Sequence, residues 1–215
     1  MCSSDLSSVL KQAGHECVMF DQANPDTPND VIIDQINREQ PDLVGLSFLS
    51  TTSYPYAKIL VRQIRAANSK VKLAFGGVFA SLNAPLVKLQ CPEVDFICRG
   101  DGEQLLLDLL ANVEHPESVA GLTWMKDGKV VHNPNRPMER HLDQWPFPDR
   151  ESLKLDFIES MPLDVPAVLS MERFTTMQTS RGCPWPCVFC DIPIFNEGKR
   201  SEEHTSELQS LAYLV

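Results

Sequence analysis

The chain has no apolar run approaching the roughly 18 residues that a membrane-crossing helix requires, so no transmembrane segment is expected. Positive charge is scarce: 19 Lys and Arg stand against 29 Asp and Glu, a formal net charge of −10. Non-specific nucleic-acid binding rests on neutralising phosphates with cations, and this balance argues against it. A disulfide framework is missing too. Of seven cysteines, three crowd together while Cys17, Cys91 and Cys98 lie scattered in apolar surroundings. That usage fits a reducing, cytoplasmic setting that shelters an oxygen-sensitive metal site. No internal repeat or low-complexity tract interrupts the chain.

Both ends stand apart from the rest. Arg200–Ser210 reads as the translation of a common sequencing adapter, and Met1–Leu6 as that of its reverse complement. The expectation is that residues 1–6 and 200–215 are adapter-derived and leave 7–199 as an internal fragment. Cys2 and His204 then have no claim to a ligand role.

From 16 to 112, short apolar runs alternate with amphipathic stretches. Strands are expected at Cys17–Phe20, Leu43–Phe48, Val71–Phe75 and Val94–Cys98, apolar enough to be covered on both faces. Leu6–Ala13 reads as a helix ending at Gly14. A second helix starts at Thr27 as N-cap with Pro28 following, and ends before Pro41. A third puts Ala57, Leu60, Val61 and Ile64 on one stripe, and a fourth carries Leu105, Leu106, Leu109 and Leu110. This alternation predicts an α/β fold with a doubly wound parallel sheet. Gly121–Met125 and Lys129–Asn133 read as a hairpin about Lys126-Asp127-Gly128, closing a domain over 7–132. Pro134, Pro137, Pro146 and Pro148 make 133–166 a linker strapped over a surface. A further unit over 167–199 opens with extended segments at Ala167–Leu169 and Phe174–Thr179.

Cys183, Cys187 and Cys190 form a C-x3-C-x2-C run within Ser180-Arg181-Gly182-Cys183-Pro184-Trp185-Pro186-Cys187-Val188-Phe189-Cys190. Three thiolates this close can face one centre only if the loop wraps a metal. Soft thiolates suit zinc and iron–sulfur alike. Zinc would want a fourth Cys or His nearby, and the next is His204, in the segment set aside above. A missing fourth ligand is what a cluster needs if one iron is to stay open. Bound so, the three sulfurs should lie within roughly 7 Å of one another.

In an open α/β sheet, ligands bind beyond the carboxyl ends of the strands. Three such ends carry small, loop-forming residues: Ser47-Phe48-Leu49-Ser50-Thr51-Thr52-Ser53, Gly76-Gly77, and Arg99-Gly100-Asp101-Gly102-Glu103. Gly-Gly allows close backbone approach to a ligand, and Gly102 opens a helix whose N-terminus can meet phosphate. The same residues equally make the turns and caps of any such sheet.

The cysteine loop resembles the cluster loop of the radical SAM enzymes, with Phe189 as the aromatic residue before the last cysteine. The resemblance implies that Cys183, Cys187 and Cys190 hold a [4Fe–4S] cluster. S-adenosylmethionine would complete the fourth iron, with Phe189 beside it. A doubly wound domain ahead of such a loop resembles the cobalamin-binding radical SAM enzymes, over essentially all of 7–199. Gly14-His15-Glu16, Gly45-Leu46-Ser47, Gly76-Gly77 and Arg99–Glu103 fall in the order and spacing of that family's cobalamin domain. The resemblance implies a flavodoxin-like cobalamin domain, then the start of a partial (β/α) barrel. Ser47, Ser50, Thr51, Thr52, Gly76, Gly77 and Gly100 would line the site of the cobalamin nucleotide tail. The Asp-x-His-x-x-Gly cobalt loop of many cobalamin proteins is absent, and His15 reads as a turn residue. In the strand order 2-1-3-4-5 that the resemblance implies, the first strand would precede Ser7 and is missing. Either a gap or a strained pairing is then expected between Cys17–Phe20 and Leu43–Phe48. Residues 200–215 should pack against nothing specific.

The implied activity is reductive cleavage of S-adenosylmethionine to a 5′-deoxyadenosyl radical, used for C-methylation of a small molecule or lipid. An electron donor such as flavodoxin or ferredoxin would be the partner. A cyclase of the magnesium-porphyrin type and a ring rearrangement share this layout. A tRNA methylthiotransferase, with a second cluster on Cys17, Cys91 and Cys98, is a further reading, which the acidic charge disfavours. As it stands, the chain itself would be a binding module without turnover.

Overall fold

The structure, a computed structural model, describes residues 3–22, 26–152 and 180–202. Helix α1 (Ser3–Gln12) ends where Gly14 turns left-handed and the His15 N–H reaches back to Leu10 O at 3.0 Å. It begins inside the segment expected to be foreign, and Ser4 and Ser7 are both buried. Helix α2 (Asn29–Glu39) starts two residues later than the expected Thr27 cap. Pro28 holds the cap position, and no side chain closes it. Strand β1 (Leu43–Ser47) leads through α3 (Tyr54–Ala67) to β2 (Lys72–Gly76). Short helices α4 (Val78–Leu82) and α5 (Ala84–Gln90) then precede β3 (Phe96–Cys98), and α6 (Glu103–Ala111) follows it. The hairpin is β4 (Leu122–Lys126) and β5 (Lys129–His132). Asp127 and Gly128 both take positive φ at its two-residue turn.

These strands form one sheet in the order β1-β2-β3-β4-β5. The first three run parallel, with Leu46 beside Phe75 and Phe75 beside Ile97. The sheet is mixed rather than wholly parallel as expected. The hairpin joins it antiparallel, Ile97 facing Thr123, and its own two-residue turn reverses β5 against β4. One face is covered by α2 to α5 over Leu73, Phe75 and Ile97, and all four expected stripe residues of α3 are buried there. The other packs Ala74, Phe96 and Leu122 against Leu105 and Leu109 of α6, on which α1 rests. Fully burying a side chain such as Phe75 or Ile64 contributes about 1.5–3 kcal/mol each.

Two expectations fail at the open edge of β1. Cys17–Phe20 forms no strand, and Val18 is 62% exposed. Among the described residues there is accordingly neither a gap between two strands nor a strained pairing, and β1 is the end strand of the sheet. Four apolar residues do not hold an extended ladder without a neighbouring strand to pair with.

The described part of the Pro-rich stretch, 133–152, runs over the surface of the domain. Leu142 is buried, and Asp149 docks on α1. Asp149 accepts hydrogen bonds from Ser7 Oγ at 2.8 Å and Lys11 Nζ at 2.7 Å, while its N–H donates to Ser4 O at 3.0 Å. The extended segments expected at Ala167–Leu169 and Phe174–Thr179 lie outside the described residues. Strands β6 (Ser180–Gly182) and β7 (Arg200–Glu202) then pair antiparallel, with helix α7 (Ile192–Phe195) between them. Pairing at Arg200–Glu202 corrects the expectation that nothing from residue 200 onward packs specifically. Backbone pairing needs only an extended chain brought alongside another, whatever its side chains.

Candidate cofactor edge

The carboxyl ends of β1, β2 and β3 lie side by side, as parallel pairing requires, so their three loops share one edge. Phe48 anchors the first. Its ring lies 5.0 Å from that of Phe75 and 5.7 Å from that of Tyr54, in the core beneath. Beyond it, Ser50 Oγ lies 2.7 Å from Thr52 Oγ1 and 3.3 Å from Ser53 Oγ, a knot of hydroxyls at the surface. Ser47 and Thr51 are exposed beside it.

The two glycines after β2 do different things. A Cβ on Gly76 would meet no atom within 4 Å, and the same holds at Gly100 and Gly45. Backbone at those three positions faces open space. Gly77, by contrast, has φ +91°, and a Cβ there would sit 2.2 Å from Phe48 O. The reading of Gly77 as a residue that admits a ligand is corrected: it admits the chain's own carbonyl.

Ser81, which carried no signal in the sequence, ties the second and third loops. Its Oγ lies 2.8 Å from Gly77 O and accepts the Gly100 N–H at 3.2 Å. Arg99 is turned away from the edge toward the hairpin, its Nη2 reaching Leu122 O at 3.3 Å and Asn133 O. Glu103, at the start of α6, is buried, and burial pushes its carboxyl above the usual range against the pull of Arg181.

The cysteine loop stands at this same edge, because α7 packs on α4 and β6 brings Arg181 to Glu103. Within it, Cys187 N–H bonds Trp185 O at 3.0 Å and Cys190 N–H bonds Cys187 O at 3.1 Å. Cys183, Cys187 and Cys190 are free and reach solvent, and Phe189 is 89% exposed. The expected convergence of the three sulfurs is not seen: among the described residues no three Cys, His, Asp or Glu side chains meet in metal-ligating geometry. Three accessible thiols within eight residues are a soft donor set that fits an iron–sulfur cluster. The open backbone at Gly76 and Gly100 fits a ligand laid along the edge.

Among the described residues, Cys17, Cys91 and Cys98 do not come together as a second site. Cys91 and Cys98 are buried, and burial pushes their thiols up to about 11 and about 12. Cys91 precedes β3 and Cys98 ends it, so they lie toward opposite ends of the sheet. His15 is an exposed turn residue. A shallow cavity of about 280 Å³ among Gln40, Asp42, Asn68 and Lys72 opens at the amino ends of β1 and β2, away from the cysteine edge.

Residues 6–110 match the family model of the B12 binding domain. The chain is 31% identical over 206 residues to an uncharacterized methyltransferase of Pyrococcus horikoshii, covering 94% of this chain and 42% of that protein. It is 28% identical over 193 residues to the anaerobic magnesium-protoporphyrin IX monomethyl ester cyclase of Rubrivivax gelatinosus, covering 86% and 33% respectively. The chain thus spans well under half of the curated relatives it matches. In fold it resembles the radical S-adenosylmethionine methyltransferase TsrM of Kitasatospora setae, solved with cobalamin and a [4Fe–4S] cluster bound. The TM-score is 0.69 at 15% identity, covering 98% of this chain and 42% of that one.

Proposed function

We propose that the chain is part of a cobalamin-dependent radical SAM enzyme, acting most directly as a C-methyltransferase on a small molecule or lipid. The observation that carries this is the meeting of two features on one sheet edge. A loop of three accessible thiols stands beside backbone left open at Gly76 and Gly100. The B12 binding domain match over 6–110 supports cobalamin on that edge, and the methyltransferase relative supports the reaction class.

In this reading Cys183, Cys187 and Cys190 hold the cluster as thiolates and leave one iron without a protein ligand. Phe189 offers its exposed ring to S-adenosylmethionine. Ser47, Ser50, Thr51 and Thr52 supply hydroxyl hydrogen bonds to the cobalamin tail, and Gly76 and Gly100 let it lie against the main chain. Gly77 and Ser81 hold the loops that do so. When bound, these groups supply reductive cleavage of S-adenosylmethionine and carriage of a methyl group; the protein supplies position and shelter. Flavodoxin or ferredoxin would serve as electron donor, in the cytoplasm. Among the described residues no helix is long and apolar enough to cross a membrane.

The cyclase relative favours a second reading, ring closure on a porphyrin-like substrate, which uses the same edge. Hydroxocobalamin titration tests what both share. The visible spectrum should shift with saturation at micromolar cobalamin; a chain that leaves the spectrum unchanged would remove cobalamin from the account.

A further inference from the structure

The tip of the cysteine loop is not held by burial. Trp185 is 71% exposed, Val188 and Phe189 more so, and Cys187 reaches solvent. Its place over the sheet must therefore come from its flanks. On the far flank α7 rests on α4. On the near flank stands Arg181, two residues before Cys183, with its side chain 10% exposed. Arg181 Nη1 lies 2.6 Å from Glu103 Oε1 and 4.0 Å from Asp101 Oδ1, and Nη2 lies 3.7 Å from Asp5 Oδ2.

The partners are unequal. Glu103 is the first residue of α6, where unpaired N–H groups favour a carboxylate, and its side chain is 1% exposed. Its backbone is held by its own helix. Arg181 sits on a three-residue strand that, among the described residues, pairs with one other strand of three. Gly182 beside it has φ +86°, and a Cβ there would lie 2.2 Å from Lys199 O, so the two main chains of the hairpin approach closely there. The buried cation ties this hairpin to α6. A buried ion pair adds little to stability over an apolar pair, yet removing one partner strands the other charge. That makes such a pair better at fixing position than at adding stability.

We propose that Arg181 is a positioning residue: its ion pair with Glu103 sets where the Cys183–Cys190 loop stands over the carboxyl edge. Loss of either charge should loosen the loop while the sheet stays folded. The meaning of that position for chemistry rests on the cluster reading above; the geometry does not.

Amide hydrogen exchange of the metal-free chain, read by mass spectrometry, tests it. Arg181→Met and Glu103→Gln should each speed exchange across 183–199 by about ten-fold or more, with β1 to β3 changed less than about two-fold. Arg181→Lys, which keeps the cation, should hold the loop within about three-fold of wild type. Unchanged protection across 183–199 in both single variants would overturn the proposal. So would equal loss over β1 to β3, which marks an ordinary core pair. Iron and sulfide uptake by the wild-type chain judges the cluster reading separately, since the exchange result needs no metal.

Discussion

The carbonyl oxygen of Phe48 lies 2.2 Å from the place a Cβ on Gly77 would take, so the first two loops of the edge interlock through main chain alone. Phe48 N–H also donates to Gly76 O at 3.2 Å. Gly77→Ala should therefore destabilise the domain by about 2–4 kcal/mol, from positive φ and the clash together. Gly76→Ala should leave the melting temperature within about 2 °C, a small stability change. Because its Cβ would enter open space on the edge, it should weaken hydroxocobalamin binding about ten-fold, a 1.4 kcal/mol effect. Thermal melts and titrations of the two variants separate the roles.

Thiol labelling at pH 8 should sort the cysteines by environment. Cys183, Cys187 and Cys190 reach solvent and should react within minutes. Cys91 and Cys98, buried and held as neutral thiols, should react at least about a hundred-fold more slowly, at the rate of opening. Mass spectrometry of alkylated peptides counts them. Fast labelling at Cys98 would contradict the packing of β3.

Asp149 anchors the linker to α1, and its hydrogen bond from Lys11 holds its carboxyl well below the ordinary range, against a smaller cost of burial. The folded value is the depressed one. The anchor is thus fully in force above about pH 4, the unfolded value, and is lost as pH falls through the folded value. Proteolysis within 145–152 should be flat from neutral to about pH 5. Asp149→Asn should raise it two- to five-fold at neutral pH, about 0.5–1 kcal/mol for one partly exposed ion pair. A rate for the Asn variant equal to wild type would place the anchor elsewhere.

Local pattern carried much of this fold. Ala57, Leu60, Val61 and Ile64 repeat at helical spacing and all are buried, and β1 to β3 fall within two residues of their apolar runs. Helices α4 and α5 escaped because Asn83 and Pro85 interrupt the pattern, although Pro sits at the start of α5, where it is tolerated. Cys17–Phe20 has strand composition and no partner, and pairing is a property of the neighbour as much as of the segment. In the site, residue types named the cysteines and the glycines, since chemistry and backbone freedom are local. The joint roles of Ser81, Glu103 and Arg181 were not legible for the opposite reason: each makes a contact far along the chain. The Arg99–Glu103 stretch was legible as a turn, but not as the place where Arg181 lands.

The central claim is that Cys183, Cys187 and Cys190 hold an iron–sulfur cluster. Anaerobic reconstitution followed by metal and sulfide analysis tests it most directly. The account predicts about four iron and four sulfide per chain with a broad visible charge-transfer band, all lost when the three cysteines are replaced by alanine. One zinc per chain with no sulfide, or iron that survives the triple replacement, would contradict it.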